Sequence, residues 1–464
     1  MSKTDLDAHR LQCLRSLQVP QQEPNPTESD SVAHNESPQD NLSQVMVTGV
    51  TITPVAFKDP PLLNAVGVHE PFALRAVIQL HTDAGITGLG ETYGDAGHLA
   101  RLRIAADAII GADVFNINML GSRIAQALAQ DTIQGGHGMS GMVTGSRTAD
   151  RVLSPFDVAA LDIQGKILGR PVSDLLGGAV REAIPFSGYL FYKWAGHPGQ
   201  EDDSWGAALD PEGVVKQASR MVREYGFTAL KLKGGVFHPD QEIAAIQALR
   251  DEFPDLPLRL DPNAAWSVPT SIEVGKALDG VLEYLEDPTP GIEGMAQVRR
   301  SVPMPLATNM CVVSFDDIPA AVAAGAVDVI LSDHHFWGGL RRSQSLAGIT
   351  ETFELGLSMH SNSHLGISLA AMVHLAATTP NLDYACDTHW PWKDEDEDVI
   401  RPGALRFVDG AVPVPTAPGL GIELDHDGLE KLHRQYLECG LTGRDDTGYM
   451  QRINPEYTLI SPRW

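Results

Sequence analysis

The sequence predicts an α/β protein: a barrel of alternating strands and helices, preceded by a small α+β domain. Three observations carry this. From about residue 185, eight short apolar runs alternate with helical patterns. A polar side chain closes each run, and from Lys231 to His389 these recur every 23 to 30 residues, the length of one βα unit. Before them, three strand-like runs lead into helices over residues 46–184.

Residues 1–45 come first and read as a disordered tail. VPQQEPNPTESDSVAHNESPQDNLSQ is too polar to offset the entropy of ordering. In the α+β domain, VTGVTITPVAF alternates like a strand, and ALRAVIQLHTDAGITGLGETYG reads as strand, turn, strand. Helical patterns follow from Gly97 to Leu128. A Gly/Met/Ser-rich loop then precedes SPFDVAALDIQGKILG, a helix predicted to start with Ser154 as cap and Pro155 at its first position. The barrel spans residues 185–395. Its helices are expected near 211–225, 239–252, 269–279, 293–300, 315–324, 340–354 and 365–378, and YACDTH is the last strand. Residues 396–464 form a C-terminal segment.

Composition narrows the function. Of 464 residues, 34 are Lys or Arg and 60 are Asp or Glu, a net charge of −26, which repels nucleic acid and anionic membranes. Cys13, Cys311, Cys386 and Cys439 are scattered, as incidental thiols of a reducing compartment are. The sequence has neither a secretory h-region nor a membrane-length apolar run, so a cytoplasmic enzyme is expected.

The strand ends carry the chemistry, because the loops after barrel strands converge there. Asp261 and Glu286 each follow an apolar strand, so each needs a cation or a metal. With Asn309 from the next strand they offer three hard oxygens, a set that suits Mg2+. Lys231 and Lys233 alternate onto one face, where mutual repulsion should lower at least one pKa and make a general base. Asp333 can orient His360 for proton transfer from the other side. His334 and His335 read as loop residues, and the acidic run 394–398 as a solvated loop. Together these fit proton abstraction next to a carboxylate, with the negative charge stabilised by metal and lysine.

At these residues the chain resembles the enolase superfamily, specifically the glucarate dehydratases of its mandelate-racemase-like branch. LLNAVGVHEPFALR, YGFTALKLKGG, LDPNAAWS, YLEDP, LATNM, SDHHFWGG, MHSNSHLGISLA, CDTHW and GRDDTGYMQ carry the resemblance, in order, from residue 46 to the C-terminus. It implies a modified (β/α)7β barrel under an α+β capping domain completed by the C-terminal segment. It implies Mg2+ on Asp261, Glu286 and Asn309. Lys233 and His360 become opposite-face bases, with Lys231 assisting charge and Asp333 orienting His360. Substrate contacts carry over to Asn64, His69, Thr144, Tyr189, Lys231, Asn263, Asn309, His360, Asn362, His389 and Arg444. The implied reaction is D-glucarate to 5-keto-4-deoxy-D-glucarate, in a homo-oligomer. Four alternatives stay open. Another acid sugar such as galactarate could be dehydrated or epimerised. The barrel could be inactive. Glu293 rivals Glu286 as second acidic ligand, and Arg444 could instead form an ion pair with Asp445 or Asp446.

Overall fold

The structure is a computed structural model, and it describes residues 44–133 and 148–464. The tail expected over residues 1–45 falls almost wholly outside them, as does Thr144.

Three antiparallel strands open the fold, in the order β1–β4–β5: β1 (Val47–Lys58), β4 (Phe72–Thr82) and β5 (Thr87–Tyr93). A short ribbon, β2 (Leu63–Asn64) with β3 (Gly67–Val68), lies between the first two in sequence. Helices α1 (Ala96–Ile109) and α2 (Ile117–Ala127) follow. Helix α3 (Thr148–Leu168) packs on β5, and this contact depends on Gly88 and Gly90. A Cβ at either would strike the backbone of Ala159 or Pro155.

The expected start of α3 is wrong. Ser154 and Pro155 lie inside the helix, a turn and a half beyond Thr148. Proline forfeits one backbone hydrogen bond there. Burial of nearly the whole segment outweighs that loss, with every residue from Arg151 to Gly165 buried. Helix α4 (Val172–Leu175) leads to the barrel.

Eight parallel strands form the barrel wall: β6 (Ala183–Phe191), β7 (Leu230–Lys233), β8 (Leu258–Asp261), β9 (Tyr284–Glu286), β10 (Leu306–Thr308), β11 (Val329–Ser332), β12 (Gly356–Met359) and β13 (Cys386–Thr388). They hydrogen-bond in sequence order from β6 to β12, and β13 closes back onto β6. Helices α5 (Pro211–Tyr225), α6 (Pro239–Glu252), α7 (Val268–Ala277), α8 (Gly291–Arg299), α9 (Ile318–Ala324), α10 (His334–Trp337), α11 (Leu340–Thr352) and α12 (Gly366–Ala377) fill the seven crossovers. The last strand, β13, runs only into a short 3-10 turn at Trp390–Trp392. That makes seven βα units and a final strand, the modified barrel. Caps follow from the residues: Asp210 accepts from Gly213 N with Pro211 at the first position, and Gly226 closes α5 in the left-handed region.

After β14 (Ala411–Pro413), which pairs antiparallel with β6, the chain returns to the first sheet. Helix α13 (His426–Cys439) docks on β1, with the His433 ring bonded to Pro54 O at 2.7 Å. Helix α14 (Asp446–Ile453) sits on the β2–β3 ribbon, where Thr447 Oγ1 donates to Val66 O at 2.6 Å. The acidic run is less solvated than expected. Glu397 is buried and accepts Lys58 N, while Asp398 accepts Gly366 N at the start of α12. Two elements aim backbone donors at these acids, so they tie the barrel end to β1.

Candidate active site

Strand register sets the levels of the site. Tyr189 of β6 stands beside Lys231 of β7, and Lys233 stands beside Asp261 of β8. Side chains two apart share a face, so both lysines enter the barrel.

Below the cavity lies a buried charge cluster. Lys231 Nζ is 2.7 Å from Asp387 Oδ2, 2.6 Å from Glu286 Oε2 and 3.5 Å from Asp261 Oδ2. Lys233 Nζ donates to Asp261 Oδ2 at 2.6 Å and to Asn263 Oδ1 at 2.9 Å. Tyr189 Oη donates to the same Asp261 oxygen at 3.1 Å.

The expectation of a lowered lysine pKa fails at Lys231. Burial disfavours its charge, but Asp387 and Glu286 outweigh burial and raise the pKa well above the ordinary value. Burial tends to raise Asp261 too, yet Lys233 and Lys231 hold it down. Glu286 is left short of positive charge. Burial pushes its carboxyl well above the usual range, and Lys231 only partly opposes this. Glu286 Oε1 and Asn309 Oδ1 are buried and take no hydrogen bond among the described residues. Two orphaned oxygens beside an acid-rich cluster fit a divalent cation. Glu293, by contrast, is exposed in the first turn of α8.

Opposite stands the histidine side. His360 follows β12, and its Nδ1 lies 3.1 Å from Asp333 Oδ2. The other oxygen, Oδ1, is 2.8 Å from His335 Nδ1 and accepts His335 N. Burial works against the Asp333 charge, but His335 and His360 hold its pKa well below the ordinary value. His334 and His335 are therefore not loop residues. They form the buried one-turn helix α10, capped by Asp333 itself.

Between the two sides lies a cavity lined by Asn64, His69, Tyr189, Phe191, Lys233, Asn263, Asn309, His360, Asn362, His389 and Arg444. The fold brings together these residues from segments far apart in the chain. Lys231, Asp261, Glu286 and Asp333 stand behind this lining. His69 is held by Asp59 at 3.0 Å, His389 by Ser361 at 3.2 Å and Asn362 by Tyr93 Oη at 3.2 Å. Asn64 donates to Asp446 at 2.8 Å, and Arg444 donates to the same carboxylate at 2.7 Å. Arg444 thus does both: it pairs with Asp446 and lines the cavity.

Several partners were missed in the sequence. Asp387 lies in β13, two positions before His389 at the strand's end, a legible spacing. Asp287 follows Glu286, accepts Thr308 Oγ1 at 2.6 Å and Asn309 N at 2.7 Å, and fixes the Asn309 turn. Glu242 accepts the backbone N–H groups of Gly235, Val236 and Phe237 behind Lys233. Nothing local marks either one.

Modified barrel, cap and strand-end carboxylates define a class, and the comparisons agree. Residues 47–177 match the mandelate racemase / muconate lactonizing enzyme N-terminal domain, and residues 213–428 match the enolase C-terminal domain-like family. The chain belongs to the enolase superfamily.

Within it the chain is a glucarate-dehydratase-like hydro-lyase. It is 50% identical over 428 residues to a protein of Streptomyces coelicolor named "Probable glucarate dehydratase", covering 90% of this chain and 99% of that protein. A Mycobacterium smegmatis enolase solved with tartrate is 64% identical, covers 94% of this chain and all of its own, and superposes with a TM-score of 0.87. A Gibberella zeae enolase solved with magnesium, formate and sulfate is 62% identical, covers 90% of this chain and 97% of its own, and has a TM-score of 0.89.

Proposed function

We propose that this enzyme dehydrates an acid sugar, D-glucarate, to 5-keto-4-deoxy-D-glucarate. The observation that carries the reading is the cavity with Lys233 on one wall and His360 on the other. Lys233 Nζ takes the proton beside the carboxylate from one face, and His360 Nε2 takes it from the other. The C–H electron pair becomes the enediolate double bond. That pair then expels the neighbouring hydroxyl, which leaves as water with a proton from His360. The enol left behind tautomerises to the keto acid. Lys231, fixed by Asp387, keeps its charge and stabilises the negative oxygens.

Asp261, Glu286 and Asn309 would hold Mg2+. The ion would supply the positive charge that neutralises the substrate carboxylate. Arg444 and His69, at the cap side, receive the distal carboxylate. Tartrate, bound in the Mycobacterium smegmatis relative, is also a hydroxylated diacid, which supports a pocket of this kind.

Turnover on a panel of acid sugars, with and without chelator, tests this. Chelator-sensitive formation of an α-keto acid from D-glucarate is expected. Dehydration of galactarate alone would replace the substrate, and no dehydration of any diacid would overturn the reading.

A further inference from the structure

The barrel's Asp333–His360 pair is joined to the first sheet by a buried chain of hydrogen bonds. Arg75 of β4 donates through Nε to Glu91 Oε1 of β5 at 2.8 Å. Its Nη2 lies 2.9 Å from His335 Nε2. Arginine can only donate, so His335 Nε2 is the acceptor and its ring proton sits on Nδ1. That Nδ1–H faces Asp333 Oδ1 at 2.8 Å. Asp333 Oδ2 then accepts His360 Nδ1–H at 3.1 Å, which leaves His360 Nε2 free for proton transfer. Ser368 Oγ closes the corner, 2.9 Å from His335 Nε2 and 3.1 Å from Arg75 Nη2. Glu91 also accepts Leu365 N and Ser368 N, pinning the segment that follows His360. Every member of the chain is buried.

We propose that His335, held in one tautomer by Arg75 of the capping sheet, is a positioning residue for His360, so that proton transfer on the His360 face depends on the seating of the cap. This rests on the two-base reading above. The carboxylate spends one oxygen on a neutral N–H donor. Its remaining basicity orients His360 without drawing the Nδ1 proton across. The charged and titratable groups around His360 are Asp333, His334 and His335 on one side. Arg75 and His364 lie behind it, His389 beside it and Lys233 across the cavity.

The test is hydrogen exchange on the two epimers, one reporting Lys233 and the other His360. In His335→Phe, exchange on the His360 face should fall roughly 10–100-fold, the range for partners that orient a working imidazole. The Lys233 face should stay unchanged. His335→Asn, which restores an N–H toward Asp333, should recover most of the loss.

Equal loss on both faces, or no loss on the His360 face, overturns the proposal. Nitrogen NMR of the histidines in the unaltered chain gives a second readout that needs no substrate. A His335 Nδ1–H tautomer throughout about pH 5.5–8.5 is expected, and an Nε2–H tautomer or an imidazolium overturns the assignment. Absence of exchange on either face of the unaltered enzyme would instead sink the two-base reading, while the NMR result still decides the His335 tautomer.

Discussion

The two walls of the cavity are built on opposite principles. On the lysine side, charge is held by charge: Lys231 and Lys233 face Asp261, Glu286 and Asp387, all fully buried or nearly so. On the histidine side one carboxylate, Asp333, is shared by two imidazoles, and hydrogen-bond direction fixes where the protons sit. A buried cation among acids keeps its charge over a wide pH range, whereas a histidine chain keeps its geometry and leaves one nitrogen able to gain or lose a proton. The difference suits a reaction that needs a steady charge at Lys231, beneath one wall, while Lys233 and His360 move protons on the two faces.

The largest expected effects come from removing one base at a time. Lys233→Ala and His360→Ala should each lower turnover of the matching epimer by about 10²–10⁴-fold, the usual weight of a general base. Circular dichroism should stay native. If either variant turns over both epimers at the original rate, the walls do not divide the work as described.

Next in size is the metal end of the lysine wall. Glu286→Gln should abolish Mg2+ binding measured by calorimetry, because it removes a buried carboxylate whose Oε1 has no hydrogen-bond partner among the described residues. Glu293→Gln should leave the same titration unchanged, since that residue is exposed on α8. The opposite pattern would transfer the ligand role to Glu293.

A smaller effect is expected at the cap side. Arg444→Lys keeps a charge near Asp446 but gives up the forked contact. KM for the diacid should rise roughly tenfold with kcat less affected, as suits the loss of a charge-assisted hydrogen bond. An unchanged KM would remove Arg444 from the pocket.

The smallest effect is a slope. Burial pushes the Glu242 carboxyl from 4.5 to about 7, against the three backbone donors that favour its charge. A carboxyl whose folded pKa is raised contributes stability below its unfolded pKa and loses it as pH climbs through the folded value. Stability from this group therefore falls between about pH 4.5 and 7 and is flat above that. Glu242→Gln should start less stable in acid and close the gap to the parent as pH rises, read as Tm against pH. A gap independent of pH would mean that Glu242 is ionised throughout.

Much of this was legible before the structure. The strand-end residues were found because the βα period is regular and each polar residue ends an apolar run. Most of those expected to touch substrate do meet in one cavity, among them Asn64, Lys233, His360 and Arg444. Asp287 and Glu242 were not legible, because most of their partners are backbone N–H groups, whose direction no residue pattern encodes, and Thr308 reaches Asp287 only through the fold. The start of α3 was misread because Ser154-Pro155 is a strong local signal that burial overrides.

By itself, then, the sequence determined the order of strands and helices, the acidic surface and the residues standing at the strand ends, since all of these follow from local periodicity and composition. Tertiary structure alone decided protonation and pairing. Lys231 keeps its charge because of Asp387, 156 positions away, and His335 has its tautomer set by Arg75, 260 positions away. The physical reason is that a buried ionisable group takes its state from whichever partners the fold brings within about 3 Å, and chain distance has no bearing on that.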